Sequence, residues 1–86
     1  MVSTVSIKVL GTGCPNCKKL EAIAREAVAD LGADARVEKV TDIRAIMAYG
    51  IMSTPGLVVN EVVKSAGRIP SKAEVTSWIT TARAAR

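Results

Sequence analysis

Apolar residues recur with two different periods in the first part of the chain. From Ser3 to Leu10 they alternate with polar residues, as in a half-buried β-strand. Gly11, Thr12 and Gly13 then interrupt the pattern. In the segment that follows, apolar residues recur every three or four positions, which predicts one long amphipathic helix ending before Gly32. Its apolar stripe consists of Leu20, Ile23, Ala24, Ala27, Val28 and Leu31.

Another strand and helix follow. Ala35–Val40 is a short, weaker strand signal, and Thr41 or Asp42 caps a second helix that stops at Gly50. We expect three apolar side chains of this helix to point inward: Ile43, Ile46 and Met47.

The last third of the chain predicts a hairpin and a final helix. Residues 56–59 are apolar on both faces, which suits a central strand, and residues 62–66 return as its partner. Asn60 and Glu61 occupy the two-residue turn, although Glu resists the positive φ that such turns require. Ser71 and Glu74 have the spacing of a capping box at the start of the last helix. Its inner face would consist of Val75, Trp78, Ile79 and Ala82.

The predicted order is therefore β-α-β-α-β-β-α, an α/β arrangement. It gives a four-stranded mixed sheet with helices on both faces, two on one and one on the other. The chain has 86 residues and neither repeats nor linkers, so we expect a single domain spanning residues 1–86. Phe is absent, so aliphatic residues and Met must fill the core.

Composition narrows the classes of partner. The net charge is +4, but the twelve basic residues are dispersed, and Trp and Tyr occur once each. The chain thus lacks the basic runs and stacking aromatics of nucleic-acid-binding proteins, and we expect no nucleic acid partner. The N-terminus does not have the pattern of a signal peptide, and no apolar run approaches the length of a membrane span. We therefore expect a cytoplasmic protein with no membrane span.

Two cysteines carry the candidate chemistry. Cys14 and Cys17 are separated by Pro15 and Asn16, where the first loop enters the long helix. This spacing in a first helical turn brings two sulfurs close enough to bridge. Pro15 suits the first helical position, so Cys14 would lie at the helix N-terminus, where free N–H groups favour a thiolate. The pattern favours a reversible dithiol–disulfide pair over two inert buried cysteines.

Soft-metal binding is the alternative use of the same thiolates. The string from Gly11 to Cys17, between a strand and a helix, resembles the site of heavy-metal-associated domains, which carry copper(I) or zinc. Against this reading, those domains have a β-α-β-β-α-β order and a methionine ahead of the first cysteine. This chain instead has a helix signal after Asp42. A copper or zinc carrier using Cys14 and Cys17 remains the second hypothesis.

A second motif, Thr54-Pro55, precedes the third strand. Together with the upstream Cys-x-x-Cys and the element order, it resembles the thioredoxin superfamily. The segments Gly-Thr-Gly-Cys, Val-Thr-Asp-Ile, Ile-Met-Ser-Thr-Pro and Gly-Arg-Ile-Pro-Ser are similar to small bacterial and archaeal thioredoxin-like "redox-active disulfide" proteins. The resemblance implies a thioredoxin-like fold with Cys14 as nucleophile, Cys17 as resolving thiol and a cis peptide before Pro55. It also implies that Thr54 and Pro55 bind substrate. Gly13 is a further candidate contact, and Met52 is either core or substrate-contact surface.

The same resemblance implies partners. We expect a monomeric thiol–disulfide oxidoreductase without a cofactor, acting on a disulfide-containing protein and re-reduced by a flavin-dependent or dithiol reductase. One feature departs from ordinary thioredoxins, because no acidic residue precedes Glu21 and the buried acid that accepts a proton is missing. Lys8, Lys18 and Lys19 lie near the cysteines in sequence and would favour the Cys14 thiolate.

Overall fold

A computed structural model describes residues 4–13, 15–32, 34–51 and 53–84. The α/β order β-α-β-α-β-β-α predicted from the sequence is confirmed. The elements are β1 (Val5–Leu10), α1 (Pro15–Leu31), β2 (Ala35–Val40), α2 (Ile43–Ala48), β3 (Gly56–Val59), β4 (Val62–Ala66) and α3 (Lys72–Ala84). Among these residues, no helix is long and apolar enough to cross a membrane.

The four strands form one mixed sheet in the order β2-β1-β3-β4. β1 runs parallel to β2 and antiparallel to β3, with Leu10 opposite both Val40 and Gly56. β4 runs antiparallel to β3 and ends with Ala66 opposite Gly56. The end of β1, the start of β3 and the end of β4 therefore lie side by side at one edge of the sheet. This arrangement brings distant parts of the sequence together there.

Helices cover both faces of the sheet, as predicted. On one face, α1 and α3 pack against β1 and β3 around a core that includes Ile7, Leu20 and Ile79. On the other face, α2 covers a smaller cluster of Leu10, Ile46 and Val58. All four residues of β3 are buried, because this strand is central and covered on both sides.

The prediction that Ile43 and Met47 point inward from α2 is wrong. Their exposed fractions are 54% and 66%, whereas Ile46 is 3% exposed. The helix has only six residues, and the cluster beneath it is small. Ile46, with Tyr49 and Ile51 beyond the helix end, fills this space. Ile43 and Met47 consequently remain on the surface.

Asn60 and Glu61 both adopt the positive φ that the β3–β4 turn requires, which Asn tolerates and Glu does not favour. Their φ angles are 49° and 67°. Two hydrogen bonds to Ser6 on the neighbouring strand hold Asn60. Its Oδ1 accepts the N–H of Ser6 at 2.9 Å, and its backbone N–H donates to the Ser6 carbonyl at 2.7 Å. Glu61 is held by side chains from two other elements: it accepts from Lys8 Nζ at 2.7 Å and from the Tyr49 hydroxyl at 2.9 Å.

A serine cap begins α3, as its sequence predicts. The Ser71 hydroxyl accepts the N–H of Glu74 at 3.2 Å. The carboxylate of Glu74 binds Arg68 at 2.9 Å. The pair therefore provides the serine half of a capping box.

Candidate functional site

Three chain segments meet around the sulfur of Cys17 at the edge of the sheet described above. Cys17 lies in the first turn of α1 and is 5% exposed. Gly11, directly after β1, passes so close that a Cβ added to it would overlap the Cys17 Sγ. The same added Cβ would be 4.0 Å from the Cβ of Thr54. Gly11 therefore allows β1 and the Thr54 loop to approach Cys17.

Cys17 is disulfide-bonded. Cys14, predicted to be the nucleophile, lies outside the described residues, as does Met52. Of the other predicted site residues, Gly13 is exposed and has a φ of 95°, which glycine adopts far more readily than other residues. Gly13 therefore lets the chain turn from β1 into α1.

The peptide bond between Thr54 and Pro55 is cis. Pro55 is buried, and its carbonyl accepts the N–H of Gly67 at 2.9 Å, which ties this loop to the end of β4. Thr54 is exposed, and its backbone N–H and C=O make no hydrogen bond to any described residue. These two groups are free to pair with an extended chain from outside.

Gly67 is a second glycine needed for close packing. A Cβ placed on it would come within 2.8 Å of the Ser53 Cβ, and its φ is 75°. Sequence reasoning missed both Gly11 and Gly67 as site residues. Gly11 had a signal, since it directly follows a strand and precedes the cysteines. Nothing in the sequence signalled the approach of Gly67 to Ser53, because this contact depends on the pairing of β4 with β3.

An apolar groove runs from the Thr54 loop onto α2. It encloses about 290 Å³ and is lined by Ile43, Ile46, Met47, Ile51, Ser53 and Thr54. The exposed Ile43 and Met47 form one of its walls. The groove therefore places an apolar surface next to the backbone groups of Thr54.

The lysines near the cysteines divide into two groups. Lys8 lies on the face of β1 opposite the main core. Its hydrogen bond to Glu61 raises its pKa most, and its hydrogen bond to Tyr49 adds to this effect. The hydrogen bond from Lys8 is the largest cause of a lowered pKa at Glu61, and the hydrogen bond from Tyr49 is the next largest. Its pairing with Glu61 argues against the expectation that Lys8 assists the cysteines. Lys18 and Lys19 are exposed in α1 and form no ion pair with any described residue.

The described part of the chain contains no group of three or more His, Cys, Asp or Glu side chains placed to hold a metal ion. The sequence contains no His at all. Any metal bound here would therefore depend chiefly on the two cysteine sulfurs.

The chain is similar to proteins of one family over most of its length. The family model for the thioredoxin domain matches residues 5–80. A thioredoxin of Methanothermobacter thermautotrophicus is 45% identical over 71 residues, covering 83% of this chain and 92% of that protein. A thioredoxin of Methanocaldococcus jannaschii is 39% identical over 71 residues, covering 83% and 81%. A solved structure titled "Structure of a malarial protein" has a TM-score of 0.69 at 14% identity, covering 92% of this chain and 97% of that one. It supports the fold alone.

Proposed function

The chain belongs to the thioredoxin family and is a thioredoxin-like redox protein, and from this premise we propose that it is a thiol–disulfide oxidoreductase acting on protein disulfides. Cys14 is the nucleophile and Cys17 the resolving thiol. The observation that carries the proposal is the disulfide-bonded Cys17 in the first turn of α1, enclosed by Gly11 and close to the Thr54 loop.

The proposed reaction moves two electrons. The Cys14 thiolate attacks one sulfur of the substrate disulfide, and the other substrate sulfur leaves as a thiolate. Cys17 then attacks the Cys14 sulfur of this mixed disulfide, which releases the second substrate sulfur and forms the Cys14–Cys17 disulfide. A flavin-dependent reductase or another dithiol protein returns two electrons to regenerate the dithiol. The protein needs no cofactor of its own in this cycle.

The start of α1 supports the role of Cys14. The helix begins at Pro15, so Cys14 directly precedes it in the sequence. The N-terminus of a helix has unpaired N–H groups and the positive end of the helix dipole. Lys18 and Lys19 add positive charge in the first turns. Both effects favour a thiolate at Cys14, which makes it the attacking sulfur.

The Thr54 loop and the apolar groove support a protein substrate. The free N–H and C=O of Thr54 would pair with an extended substrate segment, and an apolar side chain of that segment would enter the groove beside Met47. Met52 and Gly13 are the further substrate contacts that we propose. This binding holds the substrate disulfide in line for attack.

The proposal includes the setting in which the protein works. A dithiol that must be re-reduced after each cycle belongs in a reducing compartment, so we place the protein in the cytoplasm. One copy contains both sulfurs and the groove, so a monomer suffices. No part of the cycle requires nucleic acid.

A redox titration tests the proposal. The purified protein is equilibrated in glutathione buffers of defined ratio, its thiols are alkylated, and the fraction carrying two labels is measured with and without zinc or copper(I). We expect a reversible two-electron transition that added zinc or copper(I) does not alter. Tight binding of one metal ion by Cys14 and Cys17, with no reversible transition, would instead identify a soft-metal carrier.

A further inference from the structure

Cys17 has to lose a proton before it can resolve a mixed disulfide. Its side chain is almost fully enclosed, at 5% exposure. Burial disfavours the charged thiolate and limits direct contact with bulk water. The sequence has no Asp or Glu among its first twenty residues, so no acidic group precedes Cys17 along the chain. The proton must pass to a group that the fold brings near.

A small cavity connects Cys17 with one carboxylate. It has a volume of about 70 Å³, and its lining includes Cys17, Glu21, Lys39 and Thr41. A cavity needs roughly 10–15 Å³ by this measure to hold one water, so this cavity has room for water. Glu21 follows Cys17 by four residues in α1, which places both side chains on one face of the helix.

Glu21 is oriented by charged neighbours on two elements. Its Oε2 accepts from Arg25 Nε at 2.9 Å and lies 2.8 Å from Arg25 Nη2. Its Oε1 lies 4.0 Å from Lys39 Nζ on β2 and accepts no hydrogen bond from a described residue. The side chain is only 18% exposed. One carboxylate oxygen is thus held, and the other has room for a water.

We propose that Glu21 accepts the Cys17 proton through water in this cavity. The inference rests on the oxidoreductase function proposed above. As the Cys17 thiol ionises, its proton passes through the water to the Glu21 carboxylate. The Cys17 thiolate attacks the Cys14 sulfur, the bond between Cys14 and the substrate sulfur breaks, and the substrate leaves as a thiolate. Glu21 then returns the proton to solvent, and the reverse sequence protonates Cys17 during re-reduction.

The charges around the cavity fit this role. Arg25 on α1 pairs with Glu21, Lys39 on β2 lies 4.0 Å from it, and Lys18 lines the same cavity. Asp42 is not available instead, because its Oδ1 caps α2 by accepting the N–H of Arg44 at 3.1 Å. Glu21 is the acidic side chain that lines the cavity.

An aryl disulfide separates the two chemical steps. When the reduced protein reacts with excess 5,5′-dithiobis(2-nitrobenzoate), attack by Cys14 releases one coloured thiolate, and resolution by Cys17 releases a second. Stopped-flow absorbance between about pH 5 and pH 9 gives both rates. We expect Glu21→Gln to slow the second release about 100-fold below the ordinary thiol pKa, with little change in the first. The deficit disappears at high pH, where hydroxide removes the proton.

Two matched variants distinguish proton transfer from a structural role. Glu26→Gln changes an exposed acid of the same helix that pairs with Lys72, and both releases should remain at wild-type rates. Arg25→Gln removes the ion-pair partner of Glu21 but retains its carboxylate, so the second release should stay within a few-fold of wild type.

A second release within about twofold of wild type in Glu21→Gln across the pH range would overturn the proposal. Equal slowing by Arg25→Gln and Glu21→Gln, with the same pH profile, would also overturn it, because the ion pair rather than the carboxylate would then matter. If the wild-type protein shows no second release, the oxidoreductase function itself fails. That result is distinct from either failure of the Glu21 proposal.

Discussion

Gly11 shows how one missing side chain makes the site possible. Its N–H donates to the Val40 carbonyl at 2.9 Å, which ties its backbone to the end of β2. Any Cβ there would overlap the Cys17 Sγ. The sequence predicts a break at this position, but the reason for the glycine is a contact with a residue in the next element. Such contacts are visible only after the strand and helix have been packed together.

We predict that Gly11→Ala alters both stability and thiol exchange. Displacing Cys17 in a packed site should lower the free energy of unfolding by about 1–3 kcal/mol and change the rate at which Cys17 resolves a mixed disulfide. Chemical denaturation and the aryl disulfide assay measure the two effects. Gly32→Ala is the control, since its φ is 59° but no atom lies within 4 Å of an added Cβ. It should reduce stability without changing exchange, and wild-type behaviour of Gly11→Ala would contradict the close approach.

Glu61 is a residue whose side-chain bonds offset an unfavourable backbone. Its φ of 67° suits glycine better than glutamate, but Lys8 and Tyr49 hold its carboxylate. Exposed ion pairs contribute little to stability, so the backbone effect should dominate. We predict that Glu61→Gly raises the melting temperature, whereas Glu61→Gln, which keeps the strained backbone and loses the charge, lowers it. A lower melting temperature for both variants would show that the Lys8 and Tyr49 contacts dominate.

The pH dependence of the Glu61→Gln effect has a definite sign. The folded protein lowers the pKa of Glu61 below the ordinary value of 4.5, so its stabilising contribution is present above that value. It is lost as the pH falls through the lower pKa of the folded state. The difference in melting temperature between wild type and Glu61→Gln should therefore shrink below about pH 4.5.

The length of a helix decides how well its apolar pattern predicts which side chains are buried. The apolar stripe of α1 extends over 17 residues, and its predicted members Leu20, Ala24 and Ala27 are all fully buried. α2 has only six residues, and the same reasoning wrongly predicts that Ile43 and Met47, which are exposed, are buried. A helix of fewer than two turns is oriented by the room beneath it, which a periodic pattern does not contain. Because Ile43 and Met47 are expected to be buried, the sequence does not predict the apolar groove that they line next to Thr54.

We predict that Met47→Ser impairs reaction with peptide disulfides selectively. If an apolar substrate side chain packs against Met47, its loss should lower kcat/KM for a peptide disulfide about tenfold, which corresponds to about 1.4 kcal/mol. Reaction with a small aryl disulfide, too short to reach the groove, should not change. Val62→Ser is the matched control, since Val62 is 53% exposed but lies at the β3–β4 hairpin. Equal kcat/KM for Met47→Ser and wild type on the peptide would remove the groove from the docking surface.

For the whole molecule, the topology assembles the site. The sequence alone predicts the element order, the Cys-x-x-Cys position and the Thr54-Pro55 motif. The sequence does not show that β1 and β3 are antiparallel neighbours. This pairing places the residues after Leu10 next to those before Gly56. The approach of Gly67 to Ser53 depends on the pairing of β4 with β3, and the cavity lined by Cys17 and Glu21 depends on the packing of α1 against the sheet. These features require pairing between strands or packing between layers, which local patterns do not encode.

The two sulfurs have different roles in the proposed cycle. Cys14 precedes α1 in the sequence, and a helix N-terminus favours a thiolate, whereas Cys17 lies in the first turn of the helix and is 5% exposed. Iodoacetamide at neutral pH should therefore label Cys14 first in the reduced protein, as mass spectrometry of the digested chain would show. Cys17→Ser should accumulate a mixed disulfide with a peptide disulfide, because no second thiol can release it. Cys14→Ser, the matched control, should form little of this adduct, since its remaining thiol is buried. Faster labelling of Cys17, or an adduct that forms mainly in Cys14→Ser, would reverse the assignment of the two roles.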